Sequence, residues 1–158
     1  GNSIFHSSTL SNTYKSGSYI YLVKEVTYCI ANSDVTDENG VPIPSLKRSV
    51  GKNSAKTCPN GNELVEGVEN MQLKFGEDTD SDNNANQYIE ENTKNLSLDR
   101  VNSIVSVRLS LLLRSIRNNV TSNSHKYTFN GSTVTPSMSD RHLRKVFKTT
   151  ITLRNRAG

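Results

Sequence analysis

The run Val101–Arg114, VNSIVSVRLSLLLR, leaves few folds open to this chain. Val105, Val107, Leu109, Leu111 and Leu113 recur at every second position, while Ser106, Arg108, Ser110 and Arg114 lie between them. Leu112 is the one exception. A period of two places these sets on opposite faces of an extended strand, whereas a helix of about 3.6 residues per turn would scatter both around its axis. The segment therefore predicts a β-strand with one apolar face to be covered and one polar face.

Other segments repeat the pattern. Met71, Leu73 and Phe75 alternate with Gln72 and Lys74, and Phe147, Thr149, Ile151 and Leu153 alternate with Lys148, Thr150 and Thr152 in Val146–Leu153. Tyr19–Ala31, YIYLVKEVTYCIA, is β-rich, with Lys24-Glu25 suggesting a turn or bulge. Ser45–Val50 reads as a short edge strand after Pro42 and Pro44, because proline is tolerated at sheet edges. Glu63–Asn70 sets Leu64, Val65 and Val68 at helical spacing and predicts one or two packed turns of helix. The polar stretches 32–41, 51–62 and 77–95 predict loops. With 158 residues, 33% of them hydrophobic and no Trp, the chain is expected to make one domain, or one domain with a long insertion, whose core is concentrated in a few elements. The expected class is antiparallel β, or the β half of an α+β fold.

The net charge of +4 conceals an asymmetry. Glu63–Asp99 holds ten acidic residues against two lysines, and Arg100 to the end holds eleven Lys and Arg against Asp140 alone. Such halves pair within a fold or offer two faces to different partners. No apolar run approaches the roughly 20 residues needed to cross a bilayer. The two cysteines, Cys29 and Cys58, match no zinc spacing. In an exported chain they would form one disulfide, contributing roughly 3–4 kcal/mol in the chain-entropy account; otherwise they are two thiols.

The best candidate for site chemistry is Glu77–Tyr88, EDTDSDNNANQY. Asp78, Asp80 and Asp82 alternate as in a calcium loop, followed by Asn84 and Asn86. A hard cation takes about six to eight oxygens, and alternate residues of a turning loop supply them. Ile89 stands where an EF-hand loop has its bidentate Glu, so that ligand would come from Glu90, Glu91 or elsewhere. A solvated acidic loop is the alternative. His6, His125 and His142 are scattered, as expected of surface histidines. No Gly-x-Ser-x-Gly elbow, phosphate loop or His-Glu-x-x-His occurs, so an enzyme reading finds no support. Three glycosylation-type sequons begin at Asn95, Asn119 and Asn130, a pattern common by chance in an Asn/Ser-rich chain. Arg141, Arg144, Lys145, Lys148, Arg154 and Arg156 form a basic C-terminal segment suited to phosphates or to the acidic half of the fold.

Several of these segments together resemble the PilW-type minor pilins of bacterial type IV pili. The likeness is carried by Leu64–Glu69 followed by Met71–Gly76 and Asp78-Thr79-Asp80-Ser81-Asp82, by Val105–Ser115, and by Asp140-Arg141 with Arg144–Arg156. Tyr28-Cys29-Ile30-Ala31-Asn32 and Ser45-Leu46-Lys47-Arg48 are similar to weaker motifs upstream, so it spans 19–156 with gaps. Ser81 and Asn83 stand where the family's loop is usually glycine, and Asn86 where Asp is common. The resemblance implies a pilin-like α+β fold whose long N-terminal helix lies outside this chain, leaving a mostly β portion. Gly1-Asn2-Ser3 reads as a cloning scar and 4–158 as the globular C-terminal part. It also implies a subunit anchored in the inner membrane through that helix, facing the periplasm and later extracellular at the pilus tip. The expected partners are other minor pilins, the major pilin and a tip adhesin, and the expected roles are priming of assembly, adhesion, twitching motility and DNA uptake. A sheet without its helix would leave Val105, Val107, Leu109 and Leu111 in need of cover. The alternative is a calcium- or DNA-binding adhesive domain of an exported protein.

Overall fold

The computed structural model describes residues 17–19, 24–51, 54–90 and 97–153. Two antiparallel sheets and a hairpin make up the described chain. The first sheet contains β1 (Val26–Thr36), β2 (Pro42–Val50) and β3 (Asn62–Glu66), in that order. A helical turn α1 (Ser54–Thr57) and a 3₁₀ turn (Cys58–Asn60) connect β2 to β3. The second sheet has the order β5-β4-β6-β9, from β4 (Val68–Glu77), β5 (Gln87–Glu90), β6 (Ile104–Arg114) and β9 (Arg144–Thr152). A short helix α2 (Leu98–Asn102) precedes β6, with the Ser97 hydroxyl accepting the Arg100 N–H at its start. Between β6 and β9, β7 (Tyr127–Phe129) and β8 (Ser132–Val134) form a hairpin. The fold is thus mostly antiparallel β, as expected.

The strand predicted most sharply becomes β6, the inner strand that pairs with both β4 and β9. Leu112, which breaks its alternation, points to the polar face and is 4% exposed. The excursion between β6 and β9 returns over that face, so an apolar residue there has something to pack against.

Several expectations are corrected. Glu63–Asn70 forms no helix: it is β3, a turn at Gly67 and the start of β4. Leu64 and Val65 then lie on a strand and stay exposed, while Val68 is fully buried. Ser45–Val50 lies in the central strand of its sheet. The prolines are accommodated because Pro42 and Pro44 pair with Thr36 and Asn32 of β1, beyond the point where β3 begins to pair at Ser45. No ladder bond to a second neighbour is lost there. The polar stretch 32–41 is strand as far as Thr36, and only a turn built on Asp37 remains as loop. The stretch 77–95 contains β5. Of Tyr19–Ala31, residues 20–23 lie outside the described residues, and β1 begins at Val26, after Lys24-Glu25.

Gly67 joins the sheets. Its N–H donates to the Pro44 carbonyl of the first sheet at 2.7 Å, and its own carbonyl accepts the Arg114 N–H of the second at 2.8 Å. Its φ is +77°, and a Cβ there would lie 2.6 Å from the Arg114 carbonyl oxygen. Ile43 and Val68, both 0% exposed, are the fully buried aliphatic side chains at this junction of β2 and β4. The first sheet is further closed by a disulfide between Cys29 of β1 and the buried Cys58 of the 3₁₀ turn, with Cα atoms 6.1 Å apart.

Two stability outcomes follow. Gly67→Ala meets both a left-handed backbone and a carbonyl that cannot retreat, and is expected to cost about 3 kcal/mol, read as a lower urea midpoint. Reduction of Cys29–Cys58 should cost roughly 3 kcal/mol, and a reduced protein that unfolds at the same urea concentration would contradict it.

Candidate functional site

Register divides the second sheet into two chemically different faces. Directly paired residues in an antiparallel ladder share a face. Ile89, Phe75, Val107 and Ile151 therefore form one row, Leu73, Leu109 and Thr149 the next, and Met71, Leu111 and Phe147 a third. This face is apolar yet incompletely covered. Val107, Leu109 and Leu111 are only half-buried, and Phe147 and Ile151 remain 47% and 52% exposed. Of the residues expected to need cover, only Val105 is buried. A continuous apolar face of this kind marks a contact surface more often than a free one.

The acidic loop springs from the end of β4. Asp78 organises it: its Oδ1 accepts the N–H groups of Asp80 and Ser81 at 3.1 and 2.7 Å, and its Oδ2 accepts that of Asn83 at 2.9 Å. Desolvation pushes the Asp78 carboxyl up, but the N–H groups of Asn83, Ser81 and Asp80 together outweigh it and hold it below the usual range. Ser81 and Asn83 adopt φ of 64° and 66°. That left-handed backbone is the physical reason glycine suits those two positions. Asp78, Asp80 and Asp82 bring one oxygen each to within 4.8 Å of one another, a donor set that fits a hard cation. Asn84 and Asn86 instead turn amide nitrogens toward the carboxylates. Asn84 Nδ2 donates to Asp82 and Asn86 Nδ2 to Asp80, both at 3.1 Å, while Asn86 Oδ1 accepts the Thr79 N–H. Glu90 pairs with Lys74 at 3.1 Å rather than with the loop, and Glu91 lies outside the described residues.

Below the loop lies a buried anchor. Glu77, 5% exposed, receives Arg100 through both oxygens at 2.9 Å, Gln87 Nε2 at 2.8 Å and the Ser103 hydroxyl at 3.2 Å. The Arg100 guanidinium, against the cost of burial and with help from Gln87 and Ser103, pulls the Glu77 carboxyl down to about 2. This cluster ties β4, β5 and α2 together and holds both ends of the acidic loop.

The basic C-terminal residues do not gather into one patch. Arg144 is spent within the fold, bonded to both Glu69 oxygens at 2.7 and 2.9 Å and to Asp140 at 2.9 and 2.8 Å. Arg141 is half-exposed in the approach to β9. Lys145 lies on the apolar face with its Nζ 5.2 Å from the Phe147 ring centre, whereas Lys148 lies on the polar face opposite Ser110. Arg154 and Arg156 lie outside the described residues. Lys148 instead joins Lys74 and Arg108, which sequence reasoning did not single out because they come from three strands; the register of the alternating strands was the signal for it. His142 is not a surface histidine. It is 8% exposed, with Nδ1 2.9 Å from the Ser115 carbonyl, and Nε2 3.4 Å from Arg114. His125 is exposed, and His6 lies outside the described residues. Among the described residues no helix is long and apolar enough to cross a membrane.

A two-faced second sheet, a shaped acidic loop and a disulfide-closed first sheet place the candidate binding features on the surface. The chain belongs to the PilW family, the type IV pilus-assembly protein W, whose family model matches residues 27–155. Membership associates it with the pilus machinery of the cell envelope and with other pilus components. Neither the curated proteins nor the solved structures contain a match.

The Glu77 anchor sets a pH dependence. Because its folded pKa is depressed, its stabilisation is complete above the ordinary carboxylate value of 4.5 and disappears as pH falls through about 2. Glu77→Gln should therefore destabilise by about 2 kcal/mol at pH 7, with the difference from the parent closing toward pH 2. A constant difference from pH 7 to pH 2 in urea titrations would refute this account.

Proposed function

We propose that this chain is a structural subunit of the type IV pilus, a minor pilin of the tip-associated complex that primes assembly, working by binding and without turnover. The observation that carries this reading is the half-covered apolar face of the four-stranded sheet inside a chain of the PilW family. Burying apolar area contributes roughly 25 cal/mol per Å², so rows led by Val107, Leu109 and Leu111 supply the drive for packing against other minor pilins, the major pilin or a tip adhesin. Anchorage in the inner membrane before assembly, and adhesion, twitching motility and DNA uptake after it, follow from that place in the fibre.

The test is co-purification of other minor pilins with the full-length protein. Leu109→Asp puts a charge on the apolar face and is expected to reduce capture about tenfold or more, while Thr133→Asp on the exposed hairpin leaves it unchanged. Failure of the parent protein to capture any pilin would sink the proposal.

A second reading is favoured by the convergence of Asp78, Asp80 and Asp82 on backbone of left-handed form at Ser81 and Asn83. We infer that the loop takes Ca²⁺, with Asn84 and Asn86 rotating their amides to offer oxygen. An ion at about 100 times its Kd adds roughly 2.7 kcal/mol by linkage. The melting midpoint should rise in calcium over chelator, and Asp80→Asn with Asp82→Asn should abolish the rise. Identical midpoints would end the calcium reading.

A further inference from the structure

We propose that the polar face of the four-stranded sheet carries a binding site for an anionic saccharide unit, a sugar bearing one carboxylate or phosphate. A cavity of about 390 Å³ opens there, lined by Lys74, Arg108, Ser110, Lys148, Thr150 and, from the β7–β8 hairpin, Asn130. The register builds it. Lys74, Arg108 and Thr150 form one cross-strand row, and Ser110 with Lys148 forms the next. Three cations from three strands thus face one concavity.

Their charges are unequally compensated. Lys74 is held by Glu90 at 3.1 Å, and Glu90 in turn accepts from Asn130 Nδ2 at 3.4 Å. Among the described residues, no carboxylate lies within 4.0 Å of Arg108 or Lys148. Two neighbouring cations without counter-charge repel each other, and a bound anion relieves that repulsion. Arg108 is also prepositioned, its guanidinium carbon 3.5 Å from the Tyr88 ring centre. Stacking fixes the plane of the guanidinium, so its donor fork is ready for a bidentate oxyanion.

Volume and lining select the rest of the ligand. The cavity falls in the range of about 300–1,000 Å³ typical of small-molecule pockets and exceeds what a bare oxyanion would fill. Hydroxyls of Ser110 and Thr150 and the Asn130 amide suit a hydroxylated body. Single-stranded nucleic acid fits less well, because its bases need exposed aromatic faces and Arg108 covers Tyr88. The site lies opposite the apolar face and does not depend on the assembly reading.

The test is titration of the ¹⁵N-labelled chain at low salt with glucuronate, glucose 6-phosphate, inorganic phosphate, glucose and a short oligothymidine. Saturable amide shifts at Arg108, Lys148 and Asn130–Gly131 are expected with the two acidic sugars and none with glucose. Arg108→Gln and Lys148→Gln should each weaken binding about tenfold. Lys148 is exposed on an edge strand, so its variant keeps the fold if Arg108→Gln does not, and spectral dispersion shows which has happened. The proposal is overturned if neither acidic sugar saturates by about 20 mM, or if Lys148→Gln binds as the parent does. It is equally overturned if inorganic phosphate matches glucose 6-phosphate, or if oligothymidine binds more tightly through the same residues.

Discussion

The backbone of Gly67 is the point on which the two sheets depend. One peptide unit donates to the first sheet and the next accepts from the second, so the residue belongs to the hydrogen-bond ladders of both. The chain leaves β3 and enters β4 with no intervening loop, passing from one sheet to the other through a single left-handed residue. Any side chain at this position would meet the Arg114 carbonyl. Buried apolar side chains are few among the described residues, so the two sheets are held by this junction and the buried Ile43 and Val68 rather than by a large shared core, while the disulfide closes the first sheet on itself.

That economy leaves the second sheet with two chemically distinct, partly exposed faces. Charge is kept off the three apolar rows between β4 and β6: Lys74, Arg108 and the Glu69 network lie on the other side, while Glu77, on the side of Phe75, sits beyond the end of the rows and neutralises Arg100 in its own buried cluster. Such networks gain geometry more than net stability, since removing ions from water costs nearly what their attraction returns. What they achieve here is placement. Arg144 locks β9 to β4 through Glu69 even though β6 lies between them, and the Glu77 cluster fixes both ends of the acidic loop.

The sheet's central part was legible because alternation is a local signal. Val105 to Leu113, Met71 to Phe75 and Phe147 to Ile151 each announce a strand and its apolar face without reference to any partner. Leu64, Val65 and Val68 misled because a turn at Gly67 breaks one strand from the next and mimics helical spacing. β5 was hidden because Gln87–Glu90 is short and sits at the end of a long acidic loop. The β7–β8 hairpin had a clear mark, Asn130-Gly131 between Tyr-Thr-Phe and Ser-Thr-Val, with positive φ at both turn residues.

The candidate sites follow the same division. The acidic loop was readable residue by residue, since ligand spacing within one loop survives folding. The basic patch was not, because proximity along β9 says little about proximity in space. Alternation sends Lys145 and Lys148 to opposite faces, and acidic partners from β4 and the β9 approach absorb Arg144. The cations that do converge, Lys74, Arg108 and Lys148, lie far apart in sequence and share only a register. Where candidate sites are spread over the faces of a sheet, strand pairing is therefore the missing information. A one-residue slip of β9 against β6 would carry Lys148 to the apolar face and Phe147 to the polar one, so the register that builds the apolar face also builds the cationic cavity.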